Sequence, residues 1–377
     1  MNSRYPLSKV NWTTSLFLLF TLLGALIGTP FYLWHYGLDW FQVALFLFYV
    51  PATAMSITLG YHRLFAHKAF KAKMPVRLAT LIFGACAFEN SALDWASDHR
   101  KHHKYVDHED DDPYSISRGL FWAHIGWLIV KMTPGPMENV ADLKKDRLVM
   151  WQHKYCQWIA VLVGLVLPAV LGYLWAGGPG ALGAFLIGGL CRIVAVQHST
   201  FFINSLCHTI GKRPYSKAST ARDSPLMALL TFGEGYHNYH HSFQHDYRNG
   251  VKRRSYDPTK WAIWLMSKVG LTSDLRRVPA EKILLAELAE TRREVAAREA
   301  ALLEAAKGSE HCPRWQSSLD SYHKLQESFS ESYHELEQAL ADSVSVSRKR
   351  LKQWRAEGQE LLNQLAEMSR MEAAQPA

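Results

Sequence analysis

The chain has 377 residues, 48% of them hydrophobic and 20% charged, with a formal net charge of +8. Its mean hydropathy of −0.12 is that of a soluble protein, but residues 1–279 carry 29 Lys and Arg against 17 Asp and Glu (net +12), and the last 98 residues carry 13 against 17 (net −4). The unevenness excludes a uniformly basic nucleic-acid binder, and five scattered cysteines (Cys86, Cys156, Cys191, Cys207 and Cys312) exclude a disulfide-built secreted scaffold.

In chain order, the first feature is an apolar run over 13–34, TTSLFLLFTLLGALIGTPFYLW, long enough to span a bilayer. It follows Arg4 and Lys9, but no small-residue cleavage site succeeds it, which disfavours a signal peptide. A second apolar run covers 41–60. Just beyond it, HRLFAH places His62 and His67 five residues apart, about 140° around an ideal helix. Such a pair either serves two different ions or straddles a distorted helix end. Weaker apolar runs at 75–88 and 118–132 contain charge or His and are expected at the membrane interface. Between them, DHRKHH carries His99, His102 and His103. Two more spans are expected at 157–176 and 181–202, followed by NSLCH with His208 and HNYHH with His237, His240 and His241.

The remainder is different in kind. Residues 281–306 read as an amphipathic helix with Leu288, Val295 and Leu302 at seven-residue steps, broken by Gly308 and Pro313. A second helix begins near Trp315 and follows a 4-3 rhythm through Leu319, Tyr322, Phe329, Tyr333, Leu336 and Leu340, interrupted at Gln326. This is short coiled-coil or hairpin material. Ser343–Ser347 loosens it before the basic RKRLK at 348–352, which reads as a solvated face in preference to a contact with anionic lipid.

Loop charge sets the orientation. Neither 35–39 nor 177–180 contains Lys or Arg, whereas 14 lie between the second and third spans, from Arg63 to Lys154. By the positive-inside rule both termini and the long middle loop face the cytoplasm. Two crossings bring the chain to the first two histidine boxes, and two more bring it to His208 and the last box. All nine histidines therefore emerge on one face. The pattern H-x-x-H-H occurs twice among only 18 His in the chain, and positions i, i+3 and i+4 share one side of a helix. Nine imidazoles exceed the three or four that one zinc takes and suffice for two transition-metal ions. Imidazole suits Fe, Zn, Cu and Ni alike, so the metal stays open. The zinc-protease motif H-E-x-x-H is absent. Two Glu-x-x-His pairs of the ferritin-like kind, Glu234/His237 and Glu331/His334, read as coincidental, because the second sits in the polar tail.

The boxes resemble a known family. HRLFAHKAF (62–70), DWASDHRKHHKYVDHEDDDPYSISRGLFWAHIGWLI (94–129), NSLCH (204–208) and GEGYHNYHHSFQHDYRNG (233–250) are similar to those of the membrane-bound acyl-CoA delta-9 desaturases, the stearoyl-CoA desaturase family, over about 40–278. The resemblance implies an all-α integral membrane protein: a four-helix transmembrane bundle under a cytosolic helical cap, with 1–279 as the desaturase domain and 280–377 as a helical, coiled-coil-like tail. It implies O2-dependent insertion of a cis double bond at C9–C10 of a saturated long-chain acyl-CoA. It makes His62, His67, His99, His102, His103, His208, His237, His240 and His241 ligands of two irons, with their division left open. Asn204 would hold an iron-bound water, and Asn90 and Arg118 would contact the CoA headgroup. Asp98 is expected as an acceptor for a ligand imidazole N–H or as a helix cap. Ser97 departs from the family's eukaryotic members, which have Arg there, and leaves room for another acyl carrier.

Neither a haem motif of the cytochrome b5 kind nor a C-x-x-C pair occurs. A bacterial-type member without fused cytochrome b5 is implied, in the bacterial inner membrane. Electrons would come from a separate cytochrome b5-, ferredoxin- or rubredoxin-like carrier with an NAD(P)H-dependent reductase. Tail-mediated homo-oligomerisation is expected as an option, and no nucleic-acid partner. Three other readings stay open: an acyl-lipid desaturase, a related di-iron fatty acyl hydroxylase, and a non-catalytic membrane adaptor that uses the tail for assembly.

Overall fold

The computed structural model describes residues 9–131, 137–305 and 313–373; Arg4, Gly308 and Cys312 lie outside them. It divides into two units, one of Met1–Lys212 with Ser219–Arg277 and one of Arg213–Ala218 with Val278–Ala377. The segment Arg213–Ala218 of the 1–279 region thus goes with the tail.

Among the described residues of the first unit three helices are long and apolar enough to cross a membrane: Trp12–Tyr36, Trp40–Ala66 and Arg147–His208. Their outward faces are large hydrophobics such as Leu19, Leu26 and Leu47, all exposed, as lipid-facing helices require. The first two are separated at Gly37, whose φ of 73° suits a residue without Cβ. Asp39 and Gln42 then form a capping box that starts the second. The third is 62 residues long, which as one straight rod would measure about 93 Å, some three times the hydrocarbon core. It breaks instead at Ala176 and at Gly177, where φ is 62°, and the chain folds back. Gly172 and Gly180 meet across the fold so closely that a Cβ on either would overlap the other's carbonyl.

Both tight connections lie at one end of the unit. Trp175 Nε1 donates to Asp39 Oδ2 at 3.0 Å, and the Trp40 and Phe41 rings lie 4.9 and 5.1 Å from that of Trp175. An aromatic cluster of this kind marks a membrane–water boundary. Deeper in the unit, Arg192 is fully buried. Its guanidinium is satisfied by backbone carbonyls alone, donating to Gly164 at 2.6 Å, to Gly188 at 3.2 Å and to Cys86. Three segments are thereby clamped around one cation.

The weaker apolar runs form a helix over Met74–Ala85 and a helical stretch through Trp122–Gly126 and Trp127–Ile129. The one strand ladder among the described residues pairs Lys71–Ala72 with Thr272–Ser273, antiparallel, a small addition to an otherwise helical chain. It ties the segment after His67 to the end of the unit.

The second unit differs from the hairpin expected of it. Helices Ala280–Ala305 and Pro313–Ala341 are joined by a third, Arg348–Ala373, which the sequence reading stops short of. Its Leu351, Trp354, Leu361 and Met368 are buried with Leu288, Val295, Tyr322, Phe329 and Leu336 in one core. The contacts Arg350–Glu335 and Gln364–Ser318 make the second and third helices antiparallel, Val346–Glu281 and Arg355–Glu287 make the first and third parallel, and Arg292–Tyr333 and Gln326–Glu299 make the first and second antiparallel. The arrangement is an up-down-up three-helix bundle rather than a two-stranded coil. Gln326, the break in the seam, donates to Glu299 at 3.1 Å. The RKRLK stretch opens the third helix and buries Leu351, so it is not wholly a solvated face.

Candidate metal centre

The histidines lie at the ends of the long helices opposite the Trp175 cluster. His62 sits in a π-helical stretch, Ser56–Ala66, and the His67 N–H bonds to the His62 carbonyl at 3.0 Å. This i→i+5 bond widens the turn, so residues five apart come onto one side and the two rings stand 4.8 Å apart. Of the two possibilities for this pair, the distorted helix end is the one realised.

Ser91 caps the helix Ala92–Tyr105, its side chain accepting from Asp94 N. This helix carries His99, His102 and His103, and the short helix His237–Ser242 carries the last box. All nine histidines converge, in two groups. His62, His67, His99, His103 and His240 form one; His102, His208, His237 and His241 form the other. Within each group the candidate donor atoms lie within 4.8 Å of one another. Each H-x-x-H-H helix splits its imidazoles rather than presenting three together. The i and i+4 residues diverge by about 40° and the i+3 residue by about 60° the other way. His99 and His103 therefore go to the five-histidine group and His102 to the four, while His237 and His241 go to the four and His240 to the five.

The inward nitrogens are close. Nε2 of His240 lies 3.0 Å from that of His62 and 2.9 Å from that of His103, and the His67–His99 pair stands at 2.8 Å. In the second group, Nε2 separations are 3.3 Å for His102–His241 and 3.1 Å for both His237–His208 and His241–His237. Two imidazoles on one ion with bonds of about 2.0–2.1 Å have their nitrogens about 2.8–3.4 Å apart at octahedral or tetrahedral angles, so the donor sets fit a metal.

Three of the outer nitrogens are held by acceptors, while His237 Nδ1 is buried without a hydrogen-bond partner among the described residues. His62 Nδ1 donates to Glu234 at 2.9 Å, His102 Nδ1 to Asp112 at 2.9 Å and His208 Nδ1 to Thr220 at 2.8 Å. Each bond places the proton on Nδ1 and leaves the Nε2 lone pair facing inward. Thr220 is itself anchored on Asp107, with contacts of 2.6 and 2.7 Å. Burial would raise the Asp107 carboxyl, but the neighbouring His208 imidazole, 3.6 Å away, and the hydrogen bonds from Thr220 hold it at about 2. Burial likewise works against Glu234, and the Arg63 charge together with the hydrogen bonds from Arg63 and His62 keeps the carboxyl below its usual range. Arg63 is fully buried and bonds to Glu234 at 2.7 Å and to Asp257 at 3.1 Å. His67, His99, His103, His237, His240 and His241 are all held well below the usual histidine value, first by burial and then by the neighbouring imidazoles. Neutral imidazole is the form that binds metals.

Several expected positions fall differently. Asp98 makes no bond to a group imidazole among the described contacts; Asp112 holds His102 instead, and the cap of that helix is Ser91. Glu234, set aside as part of a coincidental pair, is the buried acceptor for His62. An acidic run ten residues past His102 and a Glu beside a box were the available signals for these residues. Asn204 is half-buried one turn before His208. Asn90 is exposed with φ 67°, and Arg118 lies over the Trp122 ring at 3.5 Å. Ser97 exchanges hydrogen bonds with Asn139 at 2.9 and 2.7 Å.

Apolar helices of spanning length with two converging sets of imidazoles at one end define a multi-pass membrane protein with a metal site. Comparison with known proteins supplies the lineage. Residues 38–249 match the fatty acid desaturase family model. The chain is 41% identical to a probable acyl-CoA desaturase of Schizosaccharomyces pombe over 63% of its length and 49% of the relative's. It is 38% identical to acyl-CoA desaturase 1 of Saccharomyces cerevisiae over 73% of its length and 54% of the relative's. It is 34% identical to human stearoyl-CoA desaturase, over 74% and 78% of the two chains. The chain thus spans about half the length of the two fungal relatives. It belongs to the fatty acid desaturase family.

Proposed function

We propose that this protein is an O2-dependent desaturase that inserts a cis double bond at C9–C10 of a saturated long-chain acyl-CoA. The observation that carries the proposal is the convergence of nine imidazoles in groups of five and four at the end of apolar spans, in a chain whose relatives bear the names acyl-CoA and stearoyl-CoA desaturase. The break at Ala176 and Gly177 supports four membrane crossings. The loop charges support an orientation with both termini and the histidine groups on the cytoplasmic side, and the membrane we assign is the bacterial inner membrane. In this reading 1–279 is the catalytic body and 280–377 an accessory tail, an option for contact between copies.

The nine histidines would hold two irons, five imidazoles on one and four on the other. When bound, the metals supply the oxidising power needed to remove hydrogen from an unactivated methylene. The reaction converts one CH2–CH2 unit and O2 to a cis alkene and two waters, consuming two electrons from a separate carrier protein and two protons. The chain's own residues do the positioning. Glu234, Asp112 and Thr220 hold the Nδ1 protons of His62, His102 and His208 outward, so that Nε2 faces in. Asn204 is assigned a water-orienting role one turn before His208, and Asn90 and Arg118 are assigned to the CoA headgroup. Apolar walls around the acyl chain exclude water from the reacting carbons.

The test is fatty-acid profiling of a host with and without the gene. The expected result is a new monounsaturated acid with its cis bond at C9. Hydroxylated fatty acid as the sole new product, or an unchanged profile, would overturn the reading.

A further inference from the structure

On the reading above, two electrons per turnover enter from a second protein. A concavity of about 460 Å³, lined mainly by the side chains of charged and polar residues, reaches the five-histidine group, with His67 and His103 in its lining. Four cations surround it: Lys68, Arg100, Lys104 and Arg276. Asp142 is the carboxylate paired with this set, 2.6 Å from Lys68 and 2.7 Å from Arg100. Lys104 and Arg276 are both exposed and form no ion pair among the described residues. Among the described residues the lining thus carries four cations and no carboxylate, with Asp142, Asp274 and Asp111 beside the cations, around an opening that leads directly to two imidazoles of the group. His67 is 4.6 Å from His103, and each is 4.6–4.8 Å from His99 (ring centroids), so the group is reached at its first layer of side chains.

We infer that this concavity is the docking site of the electron donor and that the donor is a small redox protein with an acidic face. A lining of charged and imidazole groups does not suit an acyl chain. A basic ring of this kind attracts an acidic protein and steers it into register. A redox centre seated there would face His67 and His103 with no layer of protein between. The inference rests on the desaturase reading for the need for electrons, and on this geometry for the place where they enter.

The test uses the full-length, iron-loaded protein in lipid nanodiscs and a purified acidic ferredoxin as the probe. The double variant K104E/R276E is compared with wild type for ferredoxin binding, for steady-state KM, and for a single turnover after chemical reduction with dithionite. Wild-type binding is expected to weaken as salt rises and screens the charges. The variant is expected to bind ferredoxin about 10-fold more weakly, with a similar rise in KM for ferredoxin, and to match wild type in the dithionite-driven turnover. No wild-type binding, an unchanged ferredoxin Kd in the variant, or a weakened affinity for acyl-CoA instead would overturn the docking assignment. The last result would make the concavity a site for an anionic headgroup. Failure of dithionite-reduced wild type to form alkene would sink the desaturase reading, while the binding measurement still judges the docking site.

Discussion

Replacing Glu234 by Gln separates the two histidine groups experimentally. The substitution keeps the shape of the side chain but leaves one oxygen where there were two. In the wild type, Oε2 accepts from His62 Nδ1 at 2.9 Å and Oε1 accepts from Arg63 at 2.7 Å, with Asn249 also bonded to Oε2. An amide cannot accept from both sides, so at least one donor is left facing another donor. Arg63 keeps Asp257 at 3.1 Å and the Tyr247 carbonyl at 2.8 Å. The fold is therefore expected to lose less than the roughly 3–5 kcal/mol that follows full removal of a buried ionic partner. The larger effect falls on His62. Loss of the acceptor that orients a ligating imidazole weakens metal binding by about 10–100-fold, which is about 1.4–2.7 kcal/mol. Asp112→Asn makes the same change behind His102, in the other group. The assay is iron per chain after equilibration against a graded series of chelator concentrations, with circular dichroism to monitor helix content. On the two-iron proposal, each variant is expected to release one iron early and keep the second to near the wild-type chelator concentration. The reasoning is refuted if both variants follow the wild-type curve with helix content intact.

Acid should act on the same groups. Six imidazoles outside the spans are held below their ordinary value by burial. Below about pH 6.5 the unfolded chain takes up protons that the folded chain refuses, so the stability of the metal-free protein is fully present above that pH and falls as the pH drops. Melting temperatures of the metal-free protein measured from pH 8 to 5.5 should decline, and a flat profile would contradict the buried neutral state. Two glycines give a steric contrast. A Cβ at Gly235 would overlap the backbone at Met227 and Ala228, whereas one at Gly178 meets nothing within 4 Å. Gly235→Ala is expected to cost about 3 kcal/mol or more, and Gly178→Ala to stay within about 0.5 kcal/mol, as read by melting in detergent.

The apolar runs and the histidine boxes were legible because both are local signals. Run length reports the thickness of the medium crossed, and His62, His102 or His240 is identifiable one residue at a time. The acceptors behind them were less so. Asp98 was the nearest carboxylate in sequence to the second box, yet Asp112, beyond the end of the helix, is the one that reaches His102. The chain turns after Tyr105, and Asp112 accepts from the backbone of Asp107 and Tyr114 in that turn, a geometry that no helical spacing anticipates. In the tail, the helix Arg348–Ala373 was hidden by its polar composition, and only the positions of Trp354, Leu361 and Met368 at seven-residue steps betray its buried face.

What the sequence determined by itself was the set of parts: stretches too apolar for water, nine imidazoles following them, and a charge pattern across the loops. The tertiary structure decided how the nine divide. Ideal helical angles leave His62 and His67 on different sides, and the π-helical turn brings them together through a bond five residues long. The divergence of i+3 from i+4 then sends one imidazole of each H-x-x-H-H helix to the opposite group. The first outcome depends on backbone distortion, and both depend on contacts such as His62–His240, 178 residues apart in the chain. Local propensity carries no information about such contacts, because they exist only once the helices are packed.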